Sequence, residues 1–401
     1  MPVRPDQADA PTFPMARTCP FDPPPRYAEL RDEKPVSRVS LPDGRSAWLV
    51  AGHELIRAVL ADERVSSDRS HPGFPLVMPG FGAKLKGAFL VKDPPEHSIH
   101  RKMVTAEFTV KRVKTMRPRI QQIVNDQIDQ MLAGERPTDL VQELSLPVPT
   151  LVICELLGVP YRDRMLFHGW TRQIVSTTAT AEQRAAVMGG LRDYVMRLVA
   201  AKADYPGDDL LSRLVARYQQ AGLFDRETLA GVALTLLIAG HETTANMIAL
   251  GVVGLLENPG QLAALLSDPS LMHGAVEELV RYFPVVDYAT SRVAADDIEV
   301  AGVLIRRGEG IIAPVGSANR DPRAFPDPDI LDIHRNAHGH LSFGYGIHQC
   351  LGQNLARLEL EIVYSTLFAR IPGLRLAVPV DELPFKHDAN VYGVHRLPVT
   401  W

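Results

Sequence analysis

The residues best suited to chemistry crowd into one loop, Phe343-Gly344-Tyr345-Gly346-Ile347-His348-Gln349-Cys350-Leu351-Gly352. A helical pattern follows directly, with Leu355, Leu358 and Ile362 recurring at helical spacing. A cysteine just ahead of a helix faces unpaired backbone N–H groups and the positive end of the helix dipole, both of which stabilise a thiolate. That prepares Cys350 as a metal ligand or a nucleophile. Glycines at 344, 346 and 352 let the backbone approach something flat or bulky and adopt positive φ. A buried structural cysteine beside a turn fits the same residues, because free cysteine is among the most buried residue types.

Other chemistries can be tested against the same stretch, and they fail. A dinucleotide fingerprint needs a glycine three positions after Gly346, where Gln349 stands. A zinc site on His338, His340, His348 and Cys350 lacks a second nearby cysteine and matches no usual finger spacing. His241-Glu242 opens a zinc-protease motif, but Ala245 occupies the place of its second histidine. Gly316-Ser317 has the wrong neighbours for a nucleophile elbow.

A second polar group, Glu242-Thr243, interrupts an apolar run with no proline and no other formal charge between 229 and 256. A carboxylate and a β-branched hydroxyl are both unfavourable there, and a broken local rule points to function. A hydroxyl that only bonds the carbonyl one turn back is the bland alternative for Thr243. Glu278 and Arg281, three apart on a helical pattern, can meet. The stretch 101–119 holds Arg101, Lys102, Lys111, Arg112, Lys114, Arg117 and Arg119 against Glu107 alone, which suits a solvated face or a patch for an acidic partner.

The elements that must position these groups are mostly helices. The longest, over about 225–258, would run roughly 50 Å at ~1.5 Å per residue, capped by Asp225 and ended by Pro259-Gly260. Its polar centre, His241 to Asn246, argues for burial in a large α-rich body rather than in lipid. Further helices are predicted over 101–107, 118–132, 149–157, 182–201, 271–283 and 353–371. Strands are predicted at 37–41 and 47–50 as a hairpin about Pro42-Asp43-Gly44, within 297–312, and at 374–378 and 391–399. Strands this far apart must pair with one another, which gives one interleaved domain, mainly α with a small β-rich lobe. Proline-rich 19–25 and 319–329 are expected to be extended coil packed on the surface.

Composition agrees. The 401 residues carry 43 Lys+Arg and 47 Asp+Glu, a net charge of −4, which excludes a polybasic nucleic-acid binder. Three cysteines, Cys19, Cys154 and Cys350, are too few for a disulfide framework and suggest a reducing, cytoplasmic setting. The first eleven residues lack the apolar core of a secretory signal, and no membrane association is expected. The 32 prolines predict long ordered loops.

With these residues in view, the 343–352 loop resembles the haem-ligand signature of the cytochrome P450 family, Phe-x-x-Gly-x-His-x-Cys-x-Gly, at every fixed position. Three more stretches resemble motifs of that family in the right order: Asp93-Pro94-Pro95-Glu96-His97 with Arg101, Ala239-Gly240-His241-Glu242-Thr243, and Glu278-Leu279-Val280-Arg281. The similarity runs from Cys19-Pro20 to Leu397-Pro398-Val399. It extends to the soluble actinobacterial group that includes vitamin D and sulfonylurea hydroxylases and macrolide-tailoring oxidases.

The resemblance implies a single cytochrome P450 domain over 1–401, with a long central helix over haem b (iron protoporphyrin IX). It implies Cys350 as iron ligand, His97, Arg101, Arg292 and His348 as propionate partners, Thr243 in oxygen activation and Glu242 in proton relay. Many members carry Asp where this chain has Glu242. Arg335 would join Glu278 and Arg281 in a buried structural network. Activity would be monooxygenation of a bulky hydrophobic small molecule such as a macrolide, a sterol-like compound or a xenobiotic. O2 would be the oxidant, with electrons from a ferredoxin and an NAD(P)H-dependent ferredoxin reductase, and the chain would act as a monomer. The patch at Arg112 and Lys114 would dock the ferredoxin. Coupling, desaturation or epoxidation by the same chemistry, and a haem-thiolate sensor without turnover, are the alternatives. Substrate contacts are expected in 75–89, 176–181, near Leu236 and Ala239, in 286–289 and near Val391-Tyr392. The prolines and glycines at 72–73 and 79–80 suggest a lid.

Overall fold

The computed structural model describes residues 10–77, 86–163, 166–167, 170, 180–387, 389 and 391–401. In chain order its helices are α1 (Arg26–Glu33), α2 (His53–Ala61), α3 (Glu96–Thr105), α4 (Val110–Lys114), α5 (Arg117–Ala133), α6 (Pro147–Leu157), α7 (Ala181–Asp204), α8 (Leu210–Gln220), α9 (Arg226–Leu256), α10 (Pro259–Ser267), α11 (Met272–Tyr282), α12 (Val315–Asn319) and α13 (Gln353–Arg370). The strands are short: β1 (Val36–Ser40), β2 (Ser46–Val50), β3 (Val65–Ser66), β4 (Thr138–Asp139), β5 (Arg292–Ala294), β6 (Ile298–Val300), β7 (Val303–Ile305), β8 (Gly310–Ile312), β9 (Arg375–Leu376) and β10 (Pro398–Thr400). The expected mainly α architecture with a small β-rich lobe is what forms.

The long helix α9 is the spine. Asp225 caps it, its carboxylate accepting the Thr228 N–H at 2.9 Å. Its apolar residues are buried against α6, α7 and α13, so length and hydropathy that would suit a membrane are used inside the protein. Pro259 does not close α9, as the sequence suggested; the helix stops at Leu256, and Pro259 takes the first position of α10. That is the position where its missing N–H costs nothing.

The lobe is built from distant strands, as pairing rules demand. β1 and β2 form the expected hairpin, Val36 opposite Val50 and Ser40 opposite Ser46. β2 then pairs in parallel with β8, and β8 with β5, giving the order β1-β2-β8-β5-β3. This carries Arg292, on β5, next to chain from the first hundred residues. A second sheet, β4-β10-β9, pins the C-terminus.

The segment 319–329 departs from the expected surface coil. Asn319, Arg320 and Asp321 are buried, and the carbonyls of Asn319 and Pro328 turn inward to accept from Arg281. The helix expected at 101–107 begins earlier, at Glu96, and α1, α2, α8 and α10 carry no clear sequence signal.

Candidate functional site

The burial of α9 is broken in one place. Between Thr228 and Leu255 every residue is buried except Ile238, Ala239, Gly240, Glu242 and Thr243. An accessible stretch at the midpoint of a core helix marks an internal surface that protein side chains do not cover.

The cysteine loop is also only half-buried, and its backbone is set by glycine. Gly344 and Gly346 have φ of +68° and +72°, and a Cβ at Gly346 would lie 2.3 Å from the Leu60 carbonyl oxygen. No side chain fits there. The Cys350 N–H donates to the Phe343 carbonyl at 2.7 Å, closing the loop on itself just before α13. Burial pushes the Cys350 thiol up, while the N–H groups of Gly352 and Gln353 and the charges of Arg101 and Arg357 oppose it. Burial thus favours the neutral thiol, and coordination to a metal would deprotonate the sulfur outright.

Around this loop the fold gathers His97 and Arg101 from α3, Arg292 from β5 and His348 from the loop itself. The rings of His97 and His348 lie 4.1 Å apart between centroids. Arg101 donates to the Gln349 carbonyl at 2.6 Å, and Arg292 to the Ser291 carbonyl at 2.9 Å. Five buried nitrogens here have no hydrogen-bond partner: both ring nitrogens of His97 and of His348, and Nη1 of Arg101. Burial, and then the nearby positive charges, push His97 down to about 4 and His348 down to about 3; burial lowers Arg292 to about 10. Arg69, which sequence reasoning missed, adds a further positive charge beside Arg292. Buried donors are almost always satisfied. Two carboxylates delivered by a ligand would satisfy this group and restore its charge, so the residues fit the propionates of a haem held by Cys350.

On α9, Thr243 Oγ1 donates to the Ala239 carbonyl at 2.7 Å, which is the back-bond of the bland alternative. Glu242 has a partner that the sequence did not reveal. Lys386 Nζ lies 3.7 Å from its Oε1, and the lysine side chain is only 6% exposed. Burial raises the Glu242 carboxyl and Lys386 opposes that; burial lowers Lys386 and Glu242 opposes it in turn. The lysine is positioned by a bridge between Phe385 and Val394, where its N–H donates to the Gly393 carbonyl at 2.9 Å. A Cβ on Gly393 would lie 1.8 Å from Asn246 Oδ1, so glycine lets this segment lie directly on α9 one turn beyond Glu242.

The Glu278–Arg281 pair is wholly buried, with two contacts of 2.6 and 2.7 Å, and Arg335 Nε reaches Glu278 at 3.2 Å. The basic stretch 101–119 divides. Arg117 pairs with Glu361 and Arg119 with Glu155, while Lys102, Lys111 and Lys114 are exposed. Its one acid, Glu107, is buried and held by Arg213 and Arg217, with Arg112 3.7 Å away.

Of the expected substrate contacts, Ala239 lies on the accessible stretch of α9 and Leu236 is buried. The segment 391–392 meets the chain one residue ahead of 286–289, the Tyr392 N–H donating to the Val285 carbonyl at 2.7 Å. Residues 78–85 and 176–179, including the expected lid at 79–80, lie outside the described residues.

The chain is similar to known proteins over nearly its whole length. A family model described as cytochrome P450 matches residues 183–371. Vitamin D3 dihydroxylase of Streptomyces griseolus is 49% identical over 400 residues, covering 99% of this chain and 98% of that one. Pentalenic acid synthase of Streptomyces avermitilis is 50% identical over 391 residues, 97% of each. The crystal structure of GfsF superposes with a TM-score of 0.94 at 49% identity, covering 98% of this chain and 100% of that one.

Proposed function

The chain belongs to the cytochrome P450 family, the haem-dependent monooxygenases, and we propose that as one domain over 1–401 it oxygenates a bulky hydrophobic small molecule. The substrate class is a natural product of the macrolide or polyketide kind, a sterol-like compound or a xenobiotic. The accessible part of α9, and the approach of 391–392 to the chain just ahead of 286–289, support this reading, as does the range of molecules named for its relatives.

Haem b, when bound, supplies the oxidising chemistry by which one atom of O2 enters the substrate and the other leaves as water. Cys350 would provide the sulfur ligand, an electron-donating thiolate. His97, Arg101, Arg292 and His348 would hold the two propionates, with His97, Arg101 and His348 offering nitrogens that otherwise lack partners. Glu242 holds a proton at its carboxyl and, steadied by Lys386, releases it toward the accessible face of α9. Thr243 turns its hydroxyl from the Ala239 carbonyl toward that face to pass the proton on. A haem-thiolate sensor would have no use for a buried carboxyl–lysine pair on that face.

The electrons come from an NAD(P)H-dependent ferredoxin reductase through a ferredoxin. The docking surface is the exposed Lys102, Lys111 and Lys114, unopposed because Glu107 is turned inward. The protein acts as a monomer in the cytoplasm.

One observation carries the reading: five orphaned buried nitrogens beside a half-buried cysteine on a glycine-shaped loop. The test is the optical spectrum of the reduced, CO-bound protein. Wild type gives the red-shifted Soret band of thiolate-bound haem and Cys350→Ser does not; an unchanged band in the variant overturns the assignment.

A further inference from the structure

The loop that delivers Cys350 is preceded by His338, for which the sequence offered no metal partners. The fold supplies them from two helices. His273 and Glu277 stand four apart on α11, and one ligand atom from each of His273, Glu277 and His338 lies within 4.8 Å of the others. Four residues is the spacing that puts two side chains on one helix face. His338 Nδ1 is 3.5 Å from Glu277 Oε2, and the two imidazole rings are 5.6 Å apart between centroids. Glu361, on α13, adds a second carboxylate, its Oε1 2.9 Å from His273 Nδ1.

We propose that His273, Glu277 and His338, with Glu361 as fourth or outer partner, bind a divalent transition-metal ion, zinc being the natural occupant. Two imidazoles with carboxylate oxygens are a donor set that zinc takes and that calcium or magnesium does not favour. The layout has an anchored end and an open one. Glu277 is 1% exposed and fixed by Arg357, whereas the side chains of His273 and His338 are 57% and 61% exposed, so an ion can enter from solvent. If Glu361 instead serves as the outer partner, it orients the His273 ring from its far nitrogen. Arg357 shares Glu277 Oε2 at 3.0 Å and Arg117 takes Glu361 Oε2 at 2.9 Å. These two charges oppose the ion, so the site is exchangeable rather than structural.

The proposal is independent of the haem reading. Its test is equilibrium dialysis of the untagged holoenzyme against zinc chloride, read as zinc per chain. Wild type retains one equivalent more than the His273→Ala/His338→Ala double variant, and each single variant weakens binding by roughly tenfold or more. Both histidines are exposed, so the variants keep the wild-type thermal midpoint and haem content. His71→Ala, far from the cluster in sequence, leaves zinc retention unchanged. Equal retention by wild type and the double variant, or no retention by either, overturns the site.

Discussion

Two groups of buried charge in this protein use the same kinds of residue and end in opposite states. In the first, Glu278 and Arg281 satisfy each other with two short contacts. Arg335 and the carbonyls of Asn319 and Pro328 complete the set. In the second, His97, Arg101, Arg292 and His348 lie together with five unpartnered nitrogens, although the Asp93 carboxylate acts on His97 and Arg292. A buried charge without a partner is among the costliest features a fold can carry. The first group is therefore part of the scaffold. The second has polar atoms to spare, as the propionate site proposed above requires.

Breaking the complete group should have the largest effect. Arg281→Ala strips buried Glu278 of its two shortest contacts, leaving it only Arg335 and the Asp332 N–H, and should cost about 3–5 kcal/mol, read as loss of folded protein or a large drop in denaturation midpoint. The deficient group should respond in the opposite sense when haem is removed. Arg292→Met should leave the haem-free protein as stable as wild type or more so. In the loaded protein the same change should weaken haem retention roughly tenfold or more, measured by transfer to a haem acceptor. Equal destabilisation of both forms would erase the distinction between the two groups.

Acid should sharpen it. His97 and His348 titrate at about 4 and about 3 in the haem-free fold, below their ordinary value of 6.5. The unfolded chain therefore binds more protons over the window from about 3 to 6.5. The contribution of these two residues to stability is whole above 6.5 and falls away as pH drops through that window. Haem-free protein should lose stability there more steeply than haem-bound protein, whose propionates favour the protonated rings.

A smaller effect is expected at Glu242. Lys386→Met removes the charge that opposes the burial shift, so the carboxyl rises further. The limb of the pH–rate profile that reports Glu242 should move to higher pH, with substrate affinity little changed; an unmoved limb would detach Lys386 from the relay. The smallest effect belongs to the surface. Charge reversal at Lys111 and Lys114 should slow reduction of the iron by a ferredoxin at low salt and leave substrate-induced spectral changes alone. Arg112 is a poorer probe than the sequence suggested, because it leans on Glu107.

Much of this was legible in the sequence, though unevenly. The 343–352 loop, the polar interruption of α9 and the Glu278–Arg281 spacing are local patterns, and each lies where its pattern implied. The extents of α5, α6, α7 and α13 were readable within a few residues from apolar periodicity. Pro259 misled because proline both closes a helix and opens one, and only the backbone on either side decides which. The inward turn of 319–329 was hidden because its carbonyls and the side chains of Asn319, Arg320 and Asp321 bind partners distant in the sequence.

The order of the chain alone determined the candidate ligand cysteine, the glycines that shape its loop, the spine helix and the family these belong to, because each is written in neighbouring residues. Tertiary structure alone decided which charges find partners. Lys386 meets Glu242, His338 meets Glu277 and Arg292 meets the loop of Cys350 across long stretches of chain. Pairing and burial are properties of distance in space, and a sequence records only distance along the backbone.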